Sequence, residues 1–361
     1  MNIDKPIVML HYSGFGTERS PNMQFDILRQ NPLLREKYHF VTLNQAEPPK
    51  KHGHIKTILE LRREIKRFSP YAVHIIGVKE GFHCVVAACL AGCKKRILVT
   101  HGFSGVSSVN NWARRFVFQH FIEPITLILS TQVQCNSMFS MSQSIIKRFA
   151  KRKSYLIYNF LNIPDSLLNK KKTWRKEHNI GDKEFIVITI GNMHLGKGYD
   201  ILTQVIRKIY TSNNSNVRFV VIGDGSYRQQ FEYDNSEFVK SKKLICTGRL
   251  PYEDTISILS ECNLFYLPTR FETLGMVFAE AGFCSIPSIG SNVGAVGEII
   301  HNGETGYLLT QDDDETAAKI ILELSSETEK CKKMGNEARK HIEKMFSSVE
   351  IAKQLMEKYD S

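Results

Sequence analysis

No stretch of this 361-residue chain is apolar for long enough to cross a bilayer, which takes about 20 consecutive residues, so an integral membrane protein is not expected. The start, Met1-Asn-Ile-Asp-Lys-Pro6, lacks a basic leader followed by an apolar stretch, and the expected location is the cytoplasm. The eight cysteines (Cys84, Cys89, Cys93, Cys135, Cys246, Cys262, Cys284 and Cys331) make no Cys-x-x-Cys pair and have no histidine at zinc spacing. Cys84, Cys89 and Cys93 come nearest to a cluster, but steps of five and four suit tetrahedral coordination badly, so the thiols are read as free and no metal site is expected. There is no internal repeat or low-complexity segment. No helix-turn-helix, zinc-finger or aromatic sheet signature marks a nucleic-acid binder.

What is present describes a globular protein of two ordinary domains: 42% apolar residues, 24% charged residues and length for two cores. The net charge of +11 is uneven. Residues 1–180 carry 28 Lys and Arg against 11 Asp and Glu, a net +17, whereas residues 181–361 carry 20 against 26, a net −6. The first half is therefore expected to meet something anionic, or else to be a solvated basic surface.

Short apolar runs alternate with amphipathic stretches. Pro6–Tyr12, Phe40–Leu43, Ala72–Gly77, Arg96–Thr100, Gln132–Cys135 and Ser154–Tyr158 read as strands, and His54–Phe68, Glu80–Gly92, Val109–Ile122 and Ser137–Ala150 as helices. A polar stretch with Pro164 and Lys170–Lys172 suits a hinge between about residues 161 and 183, after which strands resume at Phe185–Ile190, Val217–Ile222, Leu244–Cys246, Asn263–Pro268 and Ser285–Ile289. This pattern implies an α/β protein of two doubly wound domains, residues 1–165 and 166–345. Residues 346–361 are expected to form a helix that packs back on the first domain.

The most informative segment is Glu272-Thr-Leu-Gly-Met-Val-Phe-Ala-Glu280, two carboxylates eight apart where a strand meets a helix expected over Leu274–Phe283. Free backbone N–H groups at a helix start favour an anion, and in open α/β sheets ligands sit at the carboxyl ends of strands. One carboxylate there can hold sugar or ribose hydroxyls while the amides hold phosphate. Four glycine motifs fall at other strand ends: Gly191-Asn-Met-His-Leu-Gly-Lys-Gly198, Gly223-Asp-Gly225, Gly290–Glu298 and Asn302-Gly-Glu-Thr-Gly306. Each alone reads as a turn.

In this order the motifs resemble those of the retaining glycosyltransferases of family 4, which have the GT-B fold of two Rossmann-like domains facing across a cleft. The resemblance runs from Phe185 to about Leu309 and continues more weakly through Ser69–Gly77, Ile97–Gly102 and Ile157–Ile163. It implies an enzyme that moves a hexose-type sugar from a nucleotide diphosphate sugar to a glycan or lipid-linked acceptor in cell-surface polysaccharide biosynthesis. It assigns Glu280 to the ribose, Glu272 to the transferred sugar, Lys197 to the diphosphate, and Leu274, Gly275 and Met276 to phosphate and sugar through their amides. It places Gly191 and Asn192 in the donor loop, His101 beside the donor sugar, Gly14, Phe15 and Gly16 on the acceptor side, and Arg249 and Leu250 beside the base. No Asp-x-Asp pair lies among these motifs, so Lys197 and the helix-start amides are expected to do the work of a metal, and no cofactor is implied. Departure of the diphosphate with attack from the same face would retain configuration.

One position departs from the family: Asn192 stands where many members have arginine, which removes a bidentate phosphate clamp and leaves Arg249 as a substitute. Two readings stay open beside transfer, a non-catalytic sugar-nucleotide-binding protein and a sugar-nucleotide 2-epimerase, although the latter lacks the spaced glutamates. A nicotinamide dehydrogenase is disfavoured because Gly14-Phe-Gly16-Thr-Glu-Arg19 has no third glycine. Val109–Ile122, with aromatics beside Arg114 and Arg115, and Ser144–Lys153, with Lys147, Arg148, Lys151, Arg152 and Lys153, read either as an anionic-membrane surface or as core aromatics on a solvated basic helix.

Overall fold

The structure is a computed structural model that describes residues 5–12, 21–43, 53–79, 81–102, 112–168, 173–211 and 216–361. It divides into two compact units, one made of residues 1–160 and 346–361 and the other of residues 161–345. Each is a six-stranded parallel sheet with helices between strands. Among the described residues no helix is long and apolar enough to cross a membrane.

The first unit contains β1 (Ile7–Tyr12), β2 (His39–Thr42), β3 (Ala72–Ile76), β4 (Lys95–Thr100), β5 (Gln132–Cys135) and β6 (Ser154–Leu156), in the order β2-β1-β3-β4-β5-β6. All five residues of β3 are buried, as expected of a central strand covered on both faces. One face packs on the helices His54–Phe68 and Phe82–Leu90 through Leu61, Ile65, Val85 and Ala88. The other face is covered by the C-terminal helix Ser348–Asp360, whose Ile351, Ala352, Leu355 and Tyr359 pack against Val8, Leu10, Ile76 and Val99. Polar ties fix that helix. The Tyr359 hydroxyl lies 2.7 Å from His74 Nδ1, the Tyr38 hydroxyl donates to Asp360 at 2.7 Å, and Gln132 Nε2 donates to the Lys358 carbonyl at 2.9 Å.

The second unit contains β7 (Phe185–Ile190), β8 (Val217–Ile222), β9 (Leu244–Gly248), β10 (Leu264–Leu267), β11 (Ser288–Ser291) and β12 (Gly306–Leu309). Their order is β12-β11-β10-β7-β8-β9, so the chain winds outward from β7, returns, and winds outward on the other side from β10.

Several elements differ from the sequence reading. The helix expected over Val109–Ile122 is a helix at Trp112–Val117, a wide π turn at Phe118–Ile122 and a further helix at Glu123–Leu129. Pro124 is tolerated because it falls in the first turn after the π segment. The stretch Ser137–Ala150 is two short helices broken at Gln143, whose backbone is extended with ψ 140°. The last central strand starts at Ser288 and not Ser285, since Ser285 takes a left-handed φ of 60° and Pro287 follows.

Leu355 is 1% exposed between the C-terminal helix and the sheet. Leu355→Ala should cost the first unit about 2–5 kcal/mol, through lost transfer energy and a residual cavity. Urea unfolding followed by a probe in each unit should show the first transition moving to lower denaturant with the second unchanged; an unchanged first transition would show that the helix does not complete that core.

Candidate active site

In the second sheet the winding direction reverses between β7 and β10, which are hydrogen-bonded neighbours. At such a reversal the loops leaving the carboxyl ends of the two strands diverge and open a crevice, the usual ligand position in open α/β sheets. The loop after β7 runs from Gly191 through a 3-10 turn at Leu195–Lys197 to Gly198, and the loop after β10 runs from Pro268 to Gly275.

Backbone contact holds the two loops in register. Gly198 has φ 74°, and a Cβ there would lie 1.9 Å from the Pro268 carbonyl oxygen. Gly294, in the loop after β11, has φ 57°, and a Cβ there would lie 1.7 Å from the Glu272 carbonyl oxygen. Any side chain at either position would force the loops apart. Held this way, Lys197 Nζ lies 2.5 Å from Glu272 Oε2, with the two side chains 20% and 15% exposed. Removing one partner of so sheltered a pair leaves a poorly solvated charge, so the two depend on each other more than a surface pair would.

Arg270 braces the same crevice. Its guanidinium makes two 2.8 Å bonds to the Asp200 carboxylate, a 3.0 Å contact to Asp312 and a 2.7 Å bond to the Leu195 carbonyl, and its backbone N–H donates to Gly196 at 2.9 Å. It thereby fastens the loop after β10 to the turn that carries Lys197. Burial alone would raise the Asp200 pKa, but the Arg270 bonds and charge outweigh it and hold the carboxyl below its ordinary range. Neither residue figures in the sequence reading, although Arg270 stands two positions before Glu272. The chain does carry one Asp-x-Asp run beyond the glycine motifs, Asp312–Asp314, and its carboxylates are engaged by protein. Asp312 meets Arg270, Asp313 caps the helix Asp314–Ser326 by accepting from Thr316 N–H at 2.9 Å, and Asp314 lies 3.9 Å from Lys208. Among the described residues no group of three His, Cys, Asp or Glu side chains is arranged to hold a metal.

The other expected residues fall as follows. The helix Met276–Phe283 starts two residues later than Leu274, with Gly275 at its N-cap at φ 84° and no side chain capping it. Its first amides, which have no acceptor within the helix, therefore open at the crevice beside Glu272. Glu280 is buried one turn further in, at 6% exposure. Gly191 follows β7, and its carbonyl accepts from the Tyr199 hydroxyl at 3.0 Å. Asn192 is exposed, and its side-chain oxygen lies against Gly225. Arg249 is exposed and Leu250 half-buried after β9, two strands from β7, about 10 Å away at the usual strand spacing. His194 packs on Gly196, and burial followed by the Lys197 charge lowers its pKa. In the first unit His101 follows β4, half-buried, with burial holding its pKa down to about 4. Gly14, Phe15 and Gly16 lie outside the described residues. The eight cysteines are free, and burial raises the thiols of Cys84, Cys93, Cys135, Cys246, Cys262 and Cys331.

A cation, a row of helix-start amides and two carboxylates thus stand at one switch point. Such a set suits a ligand with both phosphate and hydroxyl groups.

Comparison with known proteins agrees in kind. Residues 170–341 match the family model described as glycosyl transferases group 1. The chain is 24% identical over 359 residues to the capsular polysaccharide biosynthesis glycosyltransferase CapM of Staphylococcus aureus, covering 92% of each. Among solved structures it resembles HepE of Anabaena, crystallised with UDP and glucose, at TM-score 0.76 and 16% identity over 99% of this chain and 100% of that one. It also resembles sucrose-phosphate synthase of Thermosynechococcus elongatus, at TM-score 0.78 and 16% identity over 99% and 98%. These likenesses show the fold, the GT-B type with two Rossmann-like domains.

Because the folded pKa of Asp200 lies below its usual value of 3.8, the stabilisation is complete above that value and is lost as pH falls through the folded pKa. Thermal scans should show wild type losing stability on acidification below about pH 4, and Asp200→Asn less stable at neutral pH but flatter across that range. Parallel profiles for the two proteins would contradict the brace.

Proposed function

Residues 170–341 form a glycosyl transferases group 1 domain, and on that premise we propose that the chain is a retaining, metal-independent family 4 glycosyltransferase. It moves a hexose-type sugar from a nucleotide diphosphate sugar to a glycan or lipid-linked acceptor in cell-surface polysaccharide biosynthesis, as the likeness to CapM suggests. The observation that carries this reading is the sheltered contact of Lys197 with Glu272 at the β7–β10 switch point.

Cleaving the bond from anomeric carbon to phosphate leaves positive charge on the sugar and gathers negative charge on the diphosphate. Lys197 and the amides of Leu274, Gly275 and Met276 meet the growing negative charge, in a site where few waters compete. Glu272 holds the sugar hydroxyls and keeps Lys197 in place, while Glu280 takes the ribose. Gly191 and Asn192 form the donor loop and Arg249 and Leu250 flank the base. In the first unit His101 meets substrate, and Gly14, Phe15 and Gly16 serve the acceptor. The acceptor attacks on the face that the diphosphate leaves, which retains configuration. The neutral, exposed Asn192 favours a second reading, a sugar-nucleotide-binding protein without transfer.

Calorimetry with UDP-, GDP-, ADP- and CMP-sugars, with Glu280→Ala in parallel, separates these. One donor should bind selectively, the variant should lose that binding, and Lys197→Ala should cut transfer or slow donor hydrolysis about 10²–10³-fold without a metal requirement. Binding without turnover would favour the second reading, and no binding would end both.

We also propose that the first unit docks on anionic membrane at the cytoplasmic face, where a lipid-linked acceptor is found. Trp112, Phe116, Val117, Phe121, Ile125 and Ile128 recur at short helical spacings and are exposed at 81, 50, 48, 54, 38 and 56%. So large an apolar stripe on a surface calls for a partner. Lys153 ties this helix to the next basic segment by donating to the carbonyls of Ile128 at 2.9 Å and Ser130 at 2.6 Å, which brings exposed Lys147, Arg148, Lys151 and Arg152 near its end. Apolar insertion beside cations fits anionic lipid. Flotation with vesicles containing phosphatidylglycerol should show salt-sensitive binding that falls about tenfold or more in Trp112→Ala/Phe116→Ala. No binding, or binding indifferent to both salt and the substitutions, would remove the membrane from the account.

A further inference from the structure

The first sheet ends at β2, which among the described strands pairs with β1 alone. His39 N–H donates to the Pro6 carbonyl at 3.0 Å and Leu43 N–H to the Leu10 carbonyl at 2.9 Å, so alternate residues of this strand face β1. In a parallel ladder the N–H and C=O of one residue point the same way, and those of Phe40 and Thr42 therefore point off the sheet. Among the described residues no backbone or side-chain group meets them there. The two residues stand about 6.6 Å apart, the two-residue repeat of an extended chain.

A groove of about 790 Å³ follows this edge, a volume in the range of ligand sites. Its two flanks differ. On the face covered by the helix His54–Phe68 it is lined by Ile7, Val41 and Phe68, all half-buried. On the other face the helices Pro21–Gln30 and Pro32–Lys37 bring Arg29 and Arg35 beside the half-buried Phe40. Lys5 closes one end, where its ammonium donates to the Arg35 carbonyl at 2.9 Å, a contact that leaves its charge unneutralised. Arg29 meets Asp26 at 2.9 Å, but with the two side chains 48% and 51% exposed the pair is worth little and a ligand carboxylate can compete for the guanidinium. Among the described residues the Arg35 guanidinium has no partner, and no Asp or Glu lines the groove.

We propose that this groove takes an extended segment of a partner protein as an added strand on β2, acidic on one side and apolar on the other. Side chains alternate along a strand, so one set of the ligand's side chains meets Arg29, Arg35 and Lys5 while the other lies against Ile7, Val41 and Phe68. Backbone bonds to Phe40 and Thr42 supply affinity, and the charged flank sets which face is which. A second copy of this chain fits badly, because two β2 edges related by a two-fold axis would set arginines against arginines. An acidic glycan would answer the cations but has no repeat of N–H and C=O groups in step with the strand. The groove lies at the amino ends of β1 and β2, away from the carboxyl ends where ligands of the sheet are expected, so the inference is independent of the functional reading above.

The test is selection from a phage-displayed library of short random peptides on the full chain, followed by binding of the recovered peptides in solution. They should alternate Asp or Glu with apolar residues, bind less tightly as salt rises, and protect the Phe40 and Thr42 amides from hydrogen exchange. Arg35→Glu should weaken them about tenfold or more by reversing a charge on one flank. Thr42→Pro, which deletes an outward N–H on an edge strand and spares the bonds to β1, should do the same while leaving the thermal transition of the free protein in place. Peptides without the alternation, no recovered peptide, or binding indifferent to Thr42→Pro would overturn the proposal. So would dextran sulfate displacing the peptides without protecting the two amides, which would make the groove a general polyanion site. Sedimentation showing self-association that Thr42→Pro abolishes would overturn it in favour of a second copy.

Discussion

The second unit depends on how closely its loops can approach at the carboxyl edge of the sheet. Two carbonyl oxygens, those of Pro268 and Glu272, occupy the space where a Cβ of Gly198 or Gly294 would stand. Because the backbones touch, the side chains that flank these contacts have little freedom. Lys197 precedes one glycine and Glu272 owns one of the carbonyls, so the contact that packs the loops also fixes the distance between cation and carboxylate. Arg270 adds a second fastening between the same loops through Asp200 and the Leu195 carbonyl. A phosphate site assembled from preset parts loses little entropy on binding, and its electrostatics need no rearrangement when charge moves.

The two units handle polar groups differently. In the second, charged side chains line an accessible crevice and pair across strand ends, where ligand can compete for them. In the first, Lys147, Arg148, Lys151 and Arg152 lie exposed, while the sheet face beneath the C-terminal helix holds neutral polar groups. His74 and Gln134, at 1% and 5% exposure, are placed by Tyr359 and the Ile157 carbonyl and not by charge. Neutral hydrogen-bonded groups are far cheaper to bury than ions. The exposed apolar stripe from Trp112 to Ile128 sits outside that interior and has no counterpart in its core.

Much of the fold was legible because parallel sheets covered on both faces leave short apolar runs between amphipathic helices. Ala72–Ile76 and Phe185–Ile190 stand out for this reason, and His54–Phe68 is a helix over the span its periodicity indicates. The π turn at Phe118–Ile122 left no mark, since nothing in composition separates it from an α-helix ending before Glu123-Pro124. The start of the Met276–Phe283 helix was misplaced by two residues because Gly275 takes a left-handed conformation that the glycine permits but does not announce. In the candidate site the glycine motifs and the two glutamates could be read locally. The meeting of Lys197 with Glu272 and of Asp200 with Arg270 could not, because the partners are 75 and 70 residues apart and become neighbours only once β10 pairs with β7. The contact of His74 with Tyr359 was hidden for the same reason: one histidine in an apolar strand gives no hint of a tyrosine 285 residues away.

The central claim is that Lys197 and Glu272 act as one unit in holding donor. A double-mutant cycle of Lys197→Met and Glu272→Gln, read in the dissociation constant of the nucleotide sugar, tests it most directly. The account predicts strong coupling: the double variant should bind about as weakly as the worse single variant, with an interaction energy of about 1 kcal/mol or more. Additive losses would contradict it, because they would mean that the two groups contact donor independently and that their 2.5 Å contact has no part in binding.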